Sequence, residues 1–98
     1  MKIKGSQRKH LRSLAHHLKP NVIVGKNKLS EGTMLFINES LSIHELIKVK
    51  FSDNEYKNQK KTYIQKHADC HIVGDIGKIL ILFRFQEDDE IRKIDLPI

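Results

Sequence analysis

The sequence predicts an α/β sandwich in which helices cover a mixed four-stranded sheet, with elements in the order α-β-α-β-α-β-β. Three observations lead there. Helical spacing or a capping side chain marks three stretches. Short β-branched or alternating apolar runs stand between and after them. Glycine and proline punctuate the joins. The chain has 98 residues, the length of one domain, so residues 1–98 are read as a single unit without repeat or linker.

Ser6 is placed to cap a first helix over about 6–18, in which Leu11, Leu14, Ala15 and Leu18 share a face. Lys9, Ser13 and His16 fall opposite, with Arg12 on the flank. Lys19-Pro20 closes the helix, because a residue before proline avoids helical backbone. Val22-Ile23-Val24 reads as a buried strand that Gly25 ends. Ser30 suits the N-cap of a second helix over about 31–42, with Met34, Ile37 and Leu41 inward. Leu35 and Phe36 point elsewhere. "LIKVKF" (46–51) alternates, giving a half-buried strand with Ile47, Val49 and Phe51 inside and Lys48 and Lys50 outside. Asp53 caps a third helix over about 54–67, with Tyr56, Tyr63, Ile64 and His67 on its less polar side. "CHIVGDIG" and "KILILFRF" form two strands around a turn near Gly74–Gly77. Both alternating sets of the second are largely apolar, as in a central strand covered on both faces. "RKIDLP" (92–97) is a candidate for one further short edge strand, ended by Pro97.

Charge narrows the function classes. The net charge is +6, and residues 1–30 hold eight Lys/Arg and no acid. Acids gather late, in "QEDDE" (86–90), which reads as a solvated turn. Such asymmetry suits a polyanionic partner as well as simple solubility. No apolar run nears the roughly 18 residues of a membrane span, and "MKIKGSQRKH" has no apolar signal core. The single cysteine, Cys70, rules out an internal disulfide and fits a reducing cytoplasm.

The candidate binding residues are basic. Gly25, Lys26, Asn27 and Lys28 join a strand to a helix N-terminus, where free N–H groups favour an anion and glycine lets a phosphate approach. An ordinary turn with solvated lysines reads equally well from spacing. Lys9, Arg12 and His16 make a helical stripe without an interleaved acid. Lys48 and Lys50 share a strand face, and Lys78 and Arg84 are weaker candidates. Aromatics are few, so backbone and shape contacts are favoured over base stacking. No catalytic residue is expected: there is no G-x-S-x-G, and Cys70 heads an apolar strand. No metal is expected either, because His67-x-x-Cys70-His71 lacks a fourth ligand at a recognisable spacing.

Four ordered stretches resemble the CRM domain family, named for chloroplast RNA splicing and ribosome maturation, and its stand-alone bacterial YhbY-like members. They are "LAHHLKP" (14–20), "VIVGKNKLSEG" (22–32), "HELIKVKF" (44–51) and "IGKILILFR" (76–84). The resemblance covers nearly the whole chain. It implies a fold similar to the C-terminal domain of translation initiation factor three. It implies RNA binding, association with precursors of the large ribosomal subunit and their ribosomal RNA, no catalysis and no cofactor. The family's loop is G-x-x-G, like the backbone-clamping loop of KH domains. Gly25 matches the first glycine, and Lys28 stands at the second. Left-handed backbone at Lys28 costs about 1 kcal/mol, so Asn27 is expected to take that conformation, or the loop to open.

The reading is therefore a cytoplasmic, monomeric RNA-binding assembly factor. Its alternatives are an RNA-processing enzyme using His16 or His71, a protein-interaction module using Leu35 and Phe36, and a duplex-DNA binder.

Overall fold

Among the described residues, which are 2–26 and 28–98 of this computed structural model, three helices and four strands follow the expected order. They are α1 (Gly5–Ala15), β1 (Val22–Val24), α2 (Glu31–His44), β2 (Leu46–Phe51), α3 (Asn54–His67), β3 (His71–Ile76) and β4 (Ile79–Phe83). The sheet order is β1-β2-β4-β3. β1 is parallel to β2, while β4 is antiparallel to both of its neighbours. α1 packs on one face, over β2, β4 and β3; α2 and α3 pack on the other.

Alternation along the strands feeds two cores. Beneath α2 and α3, Val22, Val24, Ile47, Val49, Phe51, Leu80 and Leu82 meet Met34, Ile37, Leu41 and Ile64. Beneath α1, Leu46, Val73, Ile81 and Phe83 meet Leu11 and Ala15. β4 contributes to both cores, which is why both of its alternating sets are apolar. Gly74 lies inside β3, opposite Ile81 and beside an irregularity between Ile72 and Gly74. A Cβ there would stand 2.7 Å from Ile81 Cδ1 and 3.1 Å from Ile81 Cβ, so glycine lets the Ile81 side chain lie against the strand. The turn is thus shorter than expected and centres on Gly77, at φ 56°.

Several boundaries differ from expectation, each for a local reason. Ser6 does not cap α1. Lys4 is the N-cap, and Gln7 Oε1 accepts its N–H at 2.8 Å. α1 stops at Ala15, where Leu18 N–H folds back onto the Ala15 carbonyl at 3.0 Å. Lys48 Nζ then donates to the Leu18 carbonyl at 3.0 Å. Leu14 and Leu18 are consequently half-exposed. α2 runs on to His44, where Glu45 ends it in left-handed backbone at φ 65°. Only alternate residues of β1 are buried, because it is an edge strand that α1 does not cover; Ile23 is 71% exposed. The second face of β2 is not simply basic, since Leu46 on it is buried against the α1 core. Residues 92–97 form no strand. Glu45 draws this segment in, its carboxylate accepting from Lys93 N at 2.8 Å and Ile94 N at 3.2 Å. Ile94 and Leu96 then pack onto the α1 core.

Candidate nucleic-acid interface

Three connections meet at one end of the sheet. Ser52 N–H donates to the Val24 carbonyl at 3.0 Å, and Phe51 N–H to the Lys78 carbonyl at 2.7 Å. The β1–α2 loop, the β2–α3 join and the β3–β4 turn are thereby neighbours. Lys26 and Lys28 belong to the first, Lys50 to the end of β2 just before the second, and Lys78 to the third. All four are exposed.

The β1–α2 loop is fastened from both sides. Lys28 N–H donates to the Gly25 carbonyl at 3.0 Å, closing a turn, and Leu29 N–H donates to the Tyr56 hydroxyl at 3.0 Å. Lys28 Nζ lies 5.0 Å from the centre of the Tyr56 ring, within cation–π range. The loop is therefore closed rather than open, and Lys28 itself takes left-handed backbone, at φ 64°. Asn27, the residue expected to relieve it, lies outside the described residues. The Lys28 and Leu29 amides already have acceptors in the protein, so they are not among the free N–H groups this loop could offer an anion. Ser30 Oγ likewise accepts from Thr33 N–H, as the N-cap of α2. A Cβ on Gly25 would meet nothing within 4 Å, so glycine there keeps an approach from solvent clear rather than packing against the protein.

Replacing Lys28 by glycine would relieve strain of about 1–2 kcal/mol. It would also loosen the unfolded chain and remove the Tyr56 contact, together about 1–2 kcal/mol. The expected outcome is a denaturant-melt stability within about 1 kcal/mol of wild type, with one positive charge fewer at the loop.

A depression of about 220 Å³ beside the loop is lined by Gly25, Lys26, Lys28, Ser52, Asp53 and Tyr56. The Asp53 carboxylate there accepts from Glu55 and Tyr56 N–H, capping α3 as expected. Its negative charge offsets part of the positive charge of Lys26 and Lys28, which line the same depression.

The remaining candidates divide by what their side chains touch. Lys9 is exposed on α1. Arg12 Nη1 donates to the Val73 carbonyl at 3.1 Å, and its neighbour Arg8 to the Ile72 carbonyl at 2.6 Å, so both tie α1 to the irregular stretch of β3. Lys48 closes α1, as described above. Arg84 donates to the Asn38 side-chain oxygen at 2.6 Å, Ser42 Oγ at 3.1 Å, the Asp69 carbonyl at 3.2 Å and the Ala68 carbonyl. It pins the ends of α2 and α3 to β4. Lys48 and Arg84 are thus engaged within the fold and the exposed Arg12 is tied to it by one hydrogen bond, whereas Lys9, Lys26, Lys50 and Lys78 present their charge outward and Lys28 stays exposed beside the Tyr56 ring.

Tyr56, Lys57 and Asp75 also shape this end and were not singled out from sequence. Lys57, 2% exposed, pairs with Asp75 at 2.5 Å and donates to the Gly77 carbonyl. Lys61 reaches the other Asp75 oxygen at 2.7 Å. The group fixes α3 to the β3–β4 turn that carries Lys78. A lysine inside a polar helix gives no sequence signal of burial, since only the turn opposite supplies its partners.

The histidines are occupied separately. His16 and His17 contact each other edge to face at 5.3 Å. His67 stacks on Tyr63 at 4.1 Å, and its Nδ1–H donates to the Tyr63 carbonyl at 3.0 Å. Burial, with positive charge nearby, lowers the His71 pKa. Burial pushes the Cys70 thiol up to about 12, leaving it protonated and weakly nucleophilic at neutral pH. Among the described residues, no group of three or more His, Cys, Asp or Glu side chains is placed to hold a metal ion. No helix among them is long and apolar enough to cross a membrane.

Comparison with known proteins gives one consistent pattern. A family model described as the CRS1 / YhbY (CRM) domain matches residues 3–84. A Haemophilus influenzae protein named "RNA-binding protein" is 42% identical over 93 residues, covering 93% of this chain and 91% of its own. "Probable RNA-binding protein YqeI" of Bacillus subtilis is 37% identical over 95 residues, covering 95% of this chain and 97% of its own. The solution structure of the hypothetical protein SAV1595 from Staphylococcus aureus matches with a TM-score of 0.81 at 28% identity, over 98% of this chain and 100% of that one.

Proposed function

We propose, from the premise that this chain belongs to the CRS1/YhbY (CRM) domain family, that it is a single-domain RNA-binding protein without catalytic activity. The observation that carries the reading is the meeting of Lys26, Lys28, Lys50 and Lys78 at one end of the sheet, around a glycine loop held by Tyr56. The relatives named for RNA binding support it. RNA backbone would run past Gly25, with Lys26 and Lys28 supplying charge to phosphates and Asn27 hydrogen-bonding sugar or phosphate. Lys50 and Lys78 extend the track, and Lys9 adds charge on α1. Arg12, Lys48 and Arg84 act mainly by holding the elements that carry it.

The proposed target is precursor large-subunit ribosomal RNA within assembling particles in the cytoplasm, bound by a monomer. Crosslinking the protein to RNA in cells and sequencing the bound fragments tests this. The expected result is enrichment of precursor large-subunit RNA at a few sites. Fragments spread over cellular RNA in proportion to abundance would reduce the function to general basic binding.

A second reading has one observation in its favour. Leu35, Phe36 and Ile43 are 60%, 50% and 57% exposed on α2. A protein partner would be retained after ribonuclease treatment and lost on Leu35→Ser with Phe36→Ser.

A further inference from the structure

We infer that the part of the sheet face left open beside α1 is a platform for the bases of single-stranded RNA. The inference rests on the RNA-binding reading and adds the form of RNA and the surface that receives it.

The pairing registers place Ile23 opposite Lys50, Lys50 opposite Ile79, and Ile79 opposite Ile76. These four residues form one row across all four strands. Their neighbours Val22, Val24, Val49, Phe51 and Leu80 belong to the core beneath α2 and α3, so alternation turns the row to the α1 side. α1 covers the Leu46, Ile81 and Phe83 part of that face and leaves this row open. Ile23 is 71% and Ile76 64% exposed, Lys50 is exposed and Ile79 half-buried.

Single exposed isoleucines are ordinary. Three in one cross-strand row, interrupted only by a lysine, make an apolar strip about 14 Å across at the usual strand spacing. The strip begins two residues before Gly25 of the loop and ends one residue before Gly77 of the lysine-bearing turn. At Ile76 it adjoins a depression that Arg8 and Arg12 also line.

Charge selects the occupant. A flat apolar strip crossed by Lys50 and bordered by the loop and turn that carry Lys26 and Lys78 fits a polyanion that also offers flat apolar surfaces. Unstacked bases have such faces, and their phosphates lie within reach of the surrounding cations. A duplex keeps its base faces stacked inside and cannot use the strip. Aliphatic side chains lack the strong stacking of aromatic ones, so contacts are modest per base and tolerant of sequence.

The test is a titration of the full chain with an unstructured single-stranded RNA and with the same sequence as a duplex. Wild type is compared with an Ile23→Thr, Ile76→Thr variant, because threonine keeps the β-branch that suits a strand. The expected result is a roughly fivefold to tenfold loss for the single strand. Duplex affinity and the salt slope stay unchanged, since no charge is removed. In parallel, methyl NMR of wild type follows Ile23, Ile76 and Ile79 on RNA addition, with Ile43 on α2 as the distant control; the three strip methyls are expected to shift. The NMR experiment decides the matter alone if the variant fails to fold. Unchanged single-strand affinity, an equal loss for the duplex, or silent strip methyls would overturn the platform while leaving RNA binding in place. Loss of self-association with RNA affinity intact would assign the strip to a second copy and overturn it too. A wild-type protein that binds neither RNA removes the functional reading and this inference together.

Discussion

Replacing Asp75 by alanine is expected to destabilise the protein by about 3 kcal/mol, the low end for stranding a buried charge, since Lys57 is buried while Asp75 itself is partly exposed. The effect is large because of the residue left behind. Lys57 is buried in α3, and its ammonium has Asp75 and the Gly77 carbonyl as its partners. Removing the carboxylate leaves a positive charge with one neutral acceptor. For a domain of this size the thermal midpoint should fall by roughly 12–24 °C. A Lys57→Met, Asp75→Ala double variant should recover much of that loss, because no charge is then stranded. The same pair sets a pH dependence. Hydrogen bonds from Lys57 and then Lys61 hold the Asp75 carboxyl below the usual carboxylate range. A carboxyl whose pKa is lower when folded adds stability that is fully present above its unfolded pKa and is lost as pH falls through the folded one. Wild type should lose this contribution below about pH 4, and the gap between wild type and Asp75→Ala should narrow there. A constant gap through acid denaturation would contradict the assignment.

Replacing Lys26 and Lys28 together by alanine is expected to weaken binding to single-stranded RNA by roughly tenfold at low salt, because about two phosphates are then left without a neutralising cation. Stability should hold. Lys26 is exposed, and Lys28 gives up a cation–π interaction worth about 0.5–1 kcal/mol at such a site. The fold around the loop is set by other groups: the Leu29–Tyr56 hydrogen bond, the Ser30 cap and the Gly25–Lys28 turn. Lys28→Ala keeps a side chain at φ 64°, so it removes charge without relieving strain. Comparison with Lys28→Gly then separates charge from backbone freedom. Equal weakening by the two would assign the effect of Lys28 to its charge. Binding that survives removal of both lysines would move the RNA site away from this loop.

The helix capped by Ser30 was legible because a cap and an apolar period announce it locally, and the polar helix after Asp53 chiefly because of its cap. β4 was legible because both alternating sets are apolar. Ser6 misled, since its neighbour Lys4 has a partner in Gln7 and the helix starts earlier. Exposure of Ile23 could not be read from Val22-Ile23-Val24, because it depends on β1 lying at the sheet edge beyond the reach of α1. The same holds for residues 92–97: strand-like composition is overridden by the Glu45 carboxylate, which takes the backbone N–H groups of Lys93 and Ile94. For the site, the loop and its lysines were visible as a sequence feature. Which cations face outward was not. Lys48 and Arg84 look like surface charge in sequence, and only their tertiary acceptors show otherwise; Arg12 is exposed but tied to β3 by one hydrogen bond. Tyr56 was legible only as part of the less polar side of α3 and Asp75 not at all, because each acts across a contact between distant segments.

Binding of a labelled single-stranded RNA by the intact protein, measured over a series of salt concentrations, tests the central claim most directly. With 4–6 phosphates held at the lysine-bearing end, wild type should show a log–log salt slope of about −3 to −4, and the Lys26→Ala, Lys28→Ala variant a slope about 1.4 shallower. A wild-type slope near zero, or the same slope in both proteins, would contradict it.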